Sequence, residues 1–471
     1  MRRSFLHLSL VGRAAGRAAS WAASWAAAGA LVLAPVAATA QERPRGPSLV
    51  RDAETEQLLR EYAAPIFKAA GINARAAKIF LVNDRTFNAF VANGQKIFIN
   101  VGALMDAKTP NEVIGVLAHE TGHIAGGHLA RLRQQIDNAQ ILSVIGMLAG
   151  AGAVVGAANA GGQVGGTGTG AMGVLTGGQE MVKRSLLAYQ RSEEQAADAA
   201  ALRYLTATGQ SPKGMLDTFA RFAESGLFRS RSVDPYLISH PLPTERVSQL
   251  ERLAKQSPHF ARKDPPSLQA RHDLMRAKLF GFVERHDTVL RHYPPSDTSA
   301  PARYARAVLA HKAGRLSEAV ALIDGLLAEQ PDNPYFHELK GQAMLESGRA
   351  RQAVGPLRRA VSLAPGGTPI RTMLGQALLA AGDTDAAIRE LKISTTREPE
   401  SPDAFRHLAM AYGRKGQIGQ AELAAAQGYM NAGDIKNAQT QASRAMAKLP
   451  PGSPGYLKAE DILTYRPSKD K

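Results

Sequence analysis

Hydrophobic positions recur with two different periods along this chain, and the shorter period is confined to one stretch near the start. Short runs rich in Ile, Phe and Val predict β strands at Lys78–Val82 and Lys96–Val101. The Asn93-Gly94 pair that precedes the second run is a typical hairpin turn. A helical period before and after these runs predicts helices at Glu54–Ala70, with Pro65 as a point of kinking, and at Ser185–Thr206.

The helix that follows the predicted strands has clear start signals. Thr109 is expected to cap it, Pro110 to take its first position, and Glu112 to complete a capping box. Its apolar positions continue to about Arg133. Helical geometry therefore fixes the relative positions of the polar side chains in this segment.

A 34-residue period governs the second half of the chain and resembles the tetratricopeptide repeat, a helix–turn–helix unit. Glycine, alanine and proline each recur in step, at Gly314, Gly348, Gly382 and Gly416, at Ala319, Ala353, Ala387 and Ala421, and at Pro331, Pro365 and Pro399. A further set begins at Gly433, half a period after Gly416. We therefore expect one helix there to serve two repeats.

The first 40 residues have the pattern of a secretory signal peptide. Arginines come first, an uncharged Ala-rich run follows, and the run ends in Ala38-Thr39-Ala40, a small-x-small cleavage pattern. An uncleaved membrane anchor is the alternative. A second charge-free, glycine-rich stretch covers residues 138–179 and is predicted to be a lid or loop, with a membrane-spanning segment as the alternative.

The amino-acid composition limits the metal ligands and the binding partners that can be expected. The chain contains no cysteine, so disulfides and thiolate metal ligands are excluded, and any zinc must be held by histidine and carboxylate. The formal net charge of +16 suits an anionic membrane face or acidic partners, which allows peripheral membrane contact. No nucleic-acid-binding motif accompanies that charge, so no nucleic-acid partner is expected.

Candidate metal chemistry lies on the helix that begins at Thr109. His119 and His123 are four positions apart, so both imidazoles face the same side of the helix. Glu120 lies beside the first histidine and can act as a general base without ligating the metal. This His-Glu-x-x-His pattern is typical of zinc peptidases.

Two residues compete to be the third ligand. His128 follows the motif closely, but the metzincin pattern would need its third histidine at position 129, where this chain has Leu. Glu194 lies on the later Ala-rich helix, one turn before Asp198. Glu194 is favoured as the ligand, and Asp198 can accept a hydrogen bond from the second nitrogen of a ligating histidine.

These residues resemble the gluzincin metallopeptidases of the HtpX and CAAX-prenyl-protease family. The resemblance spans about residues 48–250 and depends on the HExxH helix followed by ExxAD. It also includes Arg51-Asp52-Ala53-Glu54, Asn88-Ala89-Phe90, Lys96-Ile97-Phe98-Ile99-Asn100, Ser239-His240-Pro241 and Arg246. An exported peptidase domain followed by such repeats is similar to the periplasmic β-barrel-assembly-enhancing proteases.

The resemblance implies one zinc ion on His119, His123 and Glu194, with Glu120 as the general base. It places His240 near the metal, where it could donate to an oxyanion or cap the open zinc position. Arg246 could position substrate or bind an acid. The resemblance also implies that a substrate strand lies along an edge formed by residues 96–100.

The expected fold is mainly α, with an α+β zincin-type domain followed by an α-solenoid of tetratricopeptide repeats. The predicted parts are the signal peptide at 1–40, the metallopeptidase domain at 41–254, a linker at 255–266, the repeats at 267–463 and a tail at 464–471.

The expected function is a periplasmic zinc endopeptidase that acts on misfolded or stalled envelope proteins. Its repeats are expected to dock protein substrates or the outer-membrane assembly machinery. The alternative is a repeat-based chaperone or scaffold for outer-membrane protein assembly whose zinc site is silent or self-inhibited.

Overall fold

Helices make up most of the part of the chain that can be described. A computed structural model describes residues 48–467, apart from 75, 93, 129, 132–133, 135–189, 229–239 and 241–243. The predicted signal peptide, the glycine-rich stretch 138–179 and the end of the tail lie outside the described residues. The mainly α class is confirmed, with one small sheet. In the described ranges, no helix has both the length and the apolar character that crossing a bilayer requires.

The sheet has four strands in the order β1–β2–β4–β3. They are β1 (Leu49–Val50), β2 (Lys78–Val82), β3 (Ala89–Ala92) and β4 (Lys96–Asn100). β2 and β4 run parallel, and β1 and β3 are antiparallel to their neighbours. The predicted hairpin joins β3 to β4 at Gly94, whose φ of 86° suits glycine.

The predicted substrate edge at residues 96–100 is wrong. β4 is hydrogen-bonded to β2 on one side and to β3 on the other, so it offers no open edge. Among the described strands, the edge on this side of the sheet is β3. The error arose because both strands of a hairpin carry apolar runs, and a run does not show which strand is outermost.

Among the described N-terminal residues, six helices accompany the sheet. They are α1 (Ala53–Ala69), α2 (Val101–Asp106), α3 (Pro110–Gly126), α4 (described over 190–207), α5 (Lys213–Phe228) and α6 (Thr244–Lys255). Pro65 lies inside α1 without ending it. The core side chains Tyr62, Ile97 and Leu117 are each buried between the sheet and these helices.

Helix α3 begins as predicted but ends earlier. Thr109 accepts a hydrogen bond from the Glu112 backbone N–H at 3.3 Å, and Pro110 occupies the first turn. The Glu112 side chain does not complete the capping box, because it pairs with Arg221 instead. The helix stops at Gly126 rather than near Arg133, since Gly127 adopts a left-handed φ of 66°.

Twelve helices follow in the described C-terminal part. They are α7 (Pro266–Val283), α8 (His286–His292), α9 (Ala300–Lys312), α10 (Leu316–Glu329), α11 (Pro334–Glu346), α12 (Ala350–Leu363), α13 (Thr368–Ala381), α14 (Thr384–Arg397), α15 (Pro402–Arg414), α16 (Ile418–Asn431), α17 (Ile435–Met446) and α18 (Pro454–Thr464). Each periodic glycine lies between two paired helices with φ between 71° and 94°. Helix α16 packs on both α15 and α17, as neighbouring helices do elsewhere in the repeats. That one helix serves two repeats stays a prediction.

The segment predicted as a linker is fastened to the N-terminal region. Asp264 accepts a hydrogen bond from the Asn111 backbone N–H at 2.9 Å, and Arg262 donates to the Gly209 carbonyl at 2.7 Å. Helix α7, predicted to start the repeats, buries Met275 and Leu279 in the core of the N-terminal region. The two regions therefore share a helix, and the domain boundary stays a prediction.

A buried charge cluster joins the two regions. We call Asp52, Glu54, Lys278, Tyr304 and Glu338 the junction cluster. The Lys278 ammonium lies 2.6 Å from Asp52 Oδ2, 3.5 Å from Glu54 Oε2 and 3.4 Å from Glu338 Oε2. The Tyr304 hydroxyl donates to Glu54 at 2.9 Å. One buried cation thus holds carboxylates from α11 and from the start of α1.

We expect Lys278→Met to destabilise the protein strongly. Loss of the ammonium leaves three carboxylates in a buried site without their cation, which typically costs about 3–5 kcal/mol. The free energy of unfolding from urea titration measures the effect. Lys255→Met is the control, because Lys255 forms an exposed pair with Glu251 at 2.7 Å and such pairs contribute at most about 1 kcal/mol. Equal losses in the two variants would contradict the role of the junction cluster.

The junction cluster should also make stability depend on pH. Burial raises the pKa of Glu338 to about 7, with Asp52 adding to the rise and Lys278 opposing it. Because this pKa is higher in the folded protein than in the unfolded chain, raising the pH from about 4.5 through 7 removes stability. We expect Glu338→Gln to lack this loss. Its free energy of unfolding relative to wild type should therefore improve by roughly 1–3 kcal/mol between pH 5 and pH 8.

Candidate metal centre

Two glycines allow neighbouring helices to come close to α3. A Cβ at Gly115 would stand 2.6 Å from Met215 Cβ on α5, and a Cβ at Gly122 would stand 2.8 Å from the Ala197 carbonyl on α4. Contacts that short are not tolerated, so both positions need glycine. Gly122 lies inside the HExxH motif. Its contact brings α4, and with it Glu194, against the two histidines of α3.

Donor atoms from α3 and α4 converge at one point. His119 Nε2 lies 3.1 Å from His123 Nε2 and 3.3 Å from Glu194 Oε2, and His123 Nε2 lies 3.3 Å from Glu194 Oε1. Two donors bonded at about 2.0–2.1 Å to one tetrahedral metal ion stand roughly 3.3 Å apart. The three side chains therefore already have the spacing that a single metal ion requires.

His240 occupies the fourth corner of this group. Its Nδ1 lies 3.3 Å from His119 Nε2 and 3.1 Å from both carboxylate oxygens of Glu194. Its Nε2 lies 3.2 Å from the carbonyl oxygen of Ala89 on the edge strand β3. Ligating atoms of His119, His123, Glu194 and His240 all fall within 4.8 Å of one another.

Asp198 and Arg246 hold the donors from behind. His119 Nδ1 lies 2.9 Å from Asp198 Oδ1, so the second nitrogen of this ring faces a carboxylate. Arg246 contacts Asp198 through Nε at 2.6 Å and through Nη2 at 2.9 Å, and it reaches Glu194 Oε2 through Nη1 at 2.9 Å. The Arg246 guanidinium also lies 5.5 Å from the ring centre of Phe219. These contacts favour acid binding over substrate positioning for Arg246.

Glu120 is buried, and its carboxylate accepts no hydrogen bond from the described residues. Its exposure is 0%, and within the described residues neither carboxylate oxygen forms a hydrogen bond. The imidazole of His240 lies beside it, with Nε2 3.5 Å from Glu120 Oε1. Burial raises the pKa of Glu120. A buried acceptor without a protein partner suits a water molecule that the carboxylate can deprotonate.

The surroundings shift the pKa values of the donors in different directions. Burial alone would lower the pKa of His119, but contacts with Asp198 and Glu194 outweigh it and raise that pKa to about 9. For His123, burial dominates and lowers the pKa to about 3. For Glu194, burial acts upward, but contacts with His119, His123 and His240 hold the pKa well below its ordinary value. The donor types, their spacing and the open carboxylate of Glu120 all fit a divalent metal ion.

His128 does not join the converging donors. Its Nδ1 lies 2.9 Å from His123 Nδ1, on the side of that ring that faces away from the donors. Its Nε2 lies 2.8 Å from Glu193 Oε2. Of the two competitors for third ligand, the structure brings Glu194 to the donor group and leaves His128 behind His123. Sequence reasoning missed Glu193, although it is adjacent to Glu194.

Comparison with known proteins agrees with these observations. A family model described as Peptidase family M48 matches residues 50–254, and a tetratricopeptide repeat model matches residues 285–343 and 344–411. The chain is 25% identical over 410 residues to the β-barrel assembly-enhancing protease of Yersinia pestis, covering 84% of this chain and 81% of that one.

Two further known proteins are similar to this chain over different shares of its length. The β-barrel assembly-enhancing protease of Escherichia coli K12 is 24% identical over 384 residues, covering 79% of this chain and 75% of that one. A crystal structure of MamA is similar at 20% identity and a TM-score of 0.28, and it covers 33% of this chain and 90% of that one. The predicted resemblance to a peptidase family with a repeat tail is confirmed.

Proposed function

From the premise that this chain carries a metallopeptidase domain of family M48 followed by tetratricopeptide repeats, we propose that it is a zinc-dependent endopeptidase. The observation that carries the proposal is the convergence of His119, His123 and Glu194 beside the open carboxylate of Glu120. Two imidazoles, one carboxylate and an adjacent general base are the usual parts of such a site.

His119, His123 and Glu194 would hold the zinc ion, which when bound polarises the scissile carbonyl and makes water more acidic. Glu120 accepts the proton of the attacking water at its carboxylate and delivers it to the nitrogen of the leaving amine. Burial raises the pKa of Glu120, which makes its carboxylate a stronger base towards that proton. Asp198 keeps the His119 ring oriented through Nδ1, and Arg246 keeps both acids of α4 in place.

The edge strand β3 is the proposed place for the substrate backbone. An extended peptide can add to an open strand edge through main-chain hydrogen bonds. Ala89 at the start of β3 already directs its carbonyl to His240, so this edge leads to the donor group. β3 thus replaces residues 96–100 as the proposed substrate edge.

His240 in the fourth corner favours a self-capped resting form. A catalytic zinc site keeps one position for water or substrate, and Nδ1 of His240 is close enough to the other donors to fill it, 3.3 Å from His119 Nε2 and 3.1 Å from Glu194 Oε1. The competing role, donation to an oxyanion, would need His240 to leave the donors and face the reacting carbonyl. A capped site would also account for the second candidate function, a chaperone or scaffold whose zinc site is self-inhibited.

Location and partners extend the proposal. We infer a periplasmic enzyme that acts on misfolded or stalled envelope proteins, with the repeats docking protein substrates or outer-membrane assembly machinery. The support is the name of the relatives, β-barrel assembly-enhancing protease, and the confirmed repeats. The two candidate functions differ in whether the biological activity of the protein requires Glu120.

We expect Glu120→Gln to lose proteolysis by roughly 10²-fold to 10⁴-fold, because the amide cannot carry the proton. Cleavage of denatured casein measures the loss, and zinc content should stay at wild-type level. Glu318→Gln, on an exposed position of α10, is the matched control. If a strain that carries Glu120→Gln retained every biological activity of the protein, the scaffold would be the correct function.

We expect His240→Ala to raise casein cleavage several-fold, because removal of the imidazole frees the fourth position. His407→Ala in the repeats is the control, since this histidine is also buried but distant in sequence from the donors. A fall of about 10²-fold to 10³-fold in turnover would instead identify His240 as an oxyanion donor.

A further inference from the structure

Each histidine on α3 offers one ring nitrogen to the donor group and keeps the other for a partner behind it. For His119 that partner is the carboxylate of Asp198, the usual arrangement for a metal-binding histidine. For His123 it is another imidazole, because His123 Nδ1 lies 2.9 Å from His128 Nδ1. The two rings are therefore held by different chemistry.

The contacts beyond His128 determine where its proton lies. His128 Nε2 stands 2.8 Å from Glu193 Oε2, and Arg131 Nη2 stands 2.7 Å from the same oxygen. An ionised carboxylate accepts hydrogen bonds and cannot donate, so the proton of a neutral His128 ring belongs on Nε2. His128 Nδ1 then carries a lone pair and is an acceptor.

The acceptor on His128 fixes the tautomer of His123. His123 Nδ1 must be the donor in the 2.9 Å contact, which places its proton on Nδ1. Its Nε2 is then left with a lone pair, 3.1 Å from His119 Nε2 and 3.3 Å from Glu194 Oε1. A lone pair on Nε2 is the form that a metal ion needs.

The backbone after α3 is built to place His128. Gly127 adopts a left-handed φ of 66° and turns the chain at the end of the helix. A Cβ at Gly126 would stand 2.1 Å from His128 Nε2, so a larger residue there would exclude the ring. His128 itself is 6% exposed. Both glycines therefore act together to bring a buried imidazole behind His123.

We propose that His128 is a positioning residue, which with Glu193 behind it holds His123 in the tautomer whose Nε2 lone pair faces the metal position. This inference rests on the proposed zinc site and deepens it. Glu193 and Glu194 are neighbours on α4. The same helix therefore supplies one proposed ligand, Glu194, and the carboxylate that orients a second ligand, His123, through His128. We call His123, His128 and Glu193 the histidine relay.

Zinc affinity of the full chain tests the histidine relay without using activity. Zn²⁺ dissociation constants are measured by competition with a chromophoric chelator at pH 7.5. We expect His128→Phe, which keeps a ring of similar size but no nitrogen, to weaken zinc binding by about 10-fold to 100-fold. His128→Asn should stay within about 3-fold of wild type, because its side-chain oxygen can replace Nδ1 as the acceptor.

Two further variants complete the design. His407→Phe is the matched control, since it removes an equally buried imidazole on α15 and should leave zinc affinity unchanged. Glu193→Ala disturbs the far end of the histidine relay without touching His123, and should weaken zinc about 3-fold to 10-fold even if His128→Phe fails to fold. The visible absorption of the Co²⁺-loaded protein should shift in His128→Phe and not in His128→Asn.

The outcomes separate the inference from the function on which it rests. Zinc binding by His128→Phe within 3-fold of wild type would overturn the histidine relay. Equal loss in His128→Phe and His128→Asn would also overturn it, because ring packing rather than the hydrogen bond would then matter. If wild type bound zinc no better than a His119→Ala, His123→Ala double variant, the metal site itself would be wrong.

Discussion

The close contact between α3 and α4 at Gly122 is the constraint on which the metal centre depends. The backbone of Ala197 occupies the space that any side chain at position 122 would need. Because α4 lies this close, the short side chain of Glu194 reaches the two imidazoles of α3 from a separate helix. Asp198, one turn further along α4, meets the far side of His119 through the same approach. A methyl group at 122 would displace both acids at once.

The charges of the buried side chains around the donors are not balanced without a bound cation. Glu120, Glu194 and Asp198 are three buried acids, and Arg246 is the buried cation that contacts two of them. With neutral imidazoles the group carries an excess of negative charge, and burial makes that excess costly unless a cation compensates it. A divalent ion restores the balance, which is why the geometry and the electrostatics lead to the same proposal.

Several parts of this arrangement could be predicted from the sequence, and the reasons are local. Helical spacing put His119 and His123 on one face, and Thr109 with Pro110 fixed the start of their helix. The periodic glycines predicted the repeat turns, because positive φ has a residue signature. The metal role of these residues remains a proposal, but the shared face of His119 and His123 followed from local spacing. Glu194 was favoured over His128 by its ligand type and by the mismatch of His128 to the metzincin pattern.

What the sequence could not show depends on contacts between distant segments. Strand order is one case, because β4 became an inner strand only through its pairing with β2. The end of α3 is another, since the apolar pattern continues past Gly127 while the left-handed glycine turns the backbone. The role of His128 depends on the second of these, because a helix that continued to Arg133 would not have folded His128 back towards His123.

The junction cluster makes the two halves of the molecule mechanically dependent on each other. Asp52 and Glu54 lie at the start of α1, and their common cation, Lys278, lies on α7, which also supplies Leu279 to the core beneath the sheet. Exposed pairs such as Arg51 with Glu398 add little to this connection, because solvent screens them. Helix α1 packs directly on α3, so only one helix separates the junction cluster from the helix that carries His119 and His123.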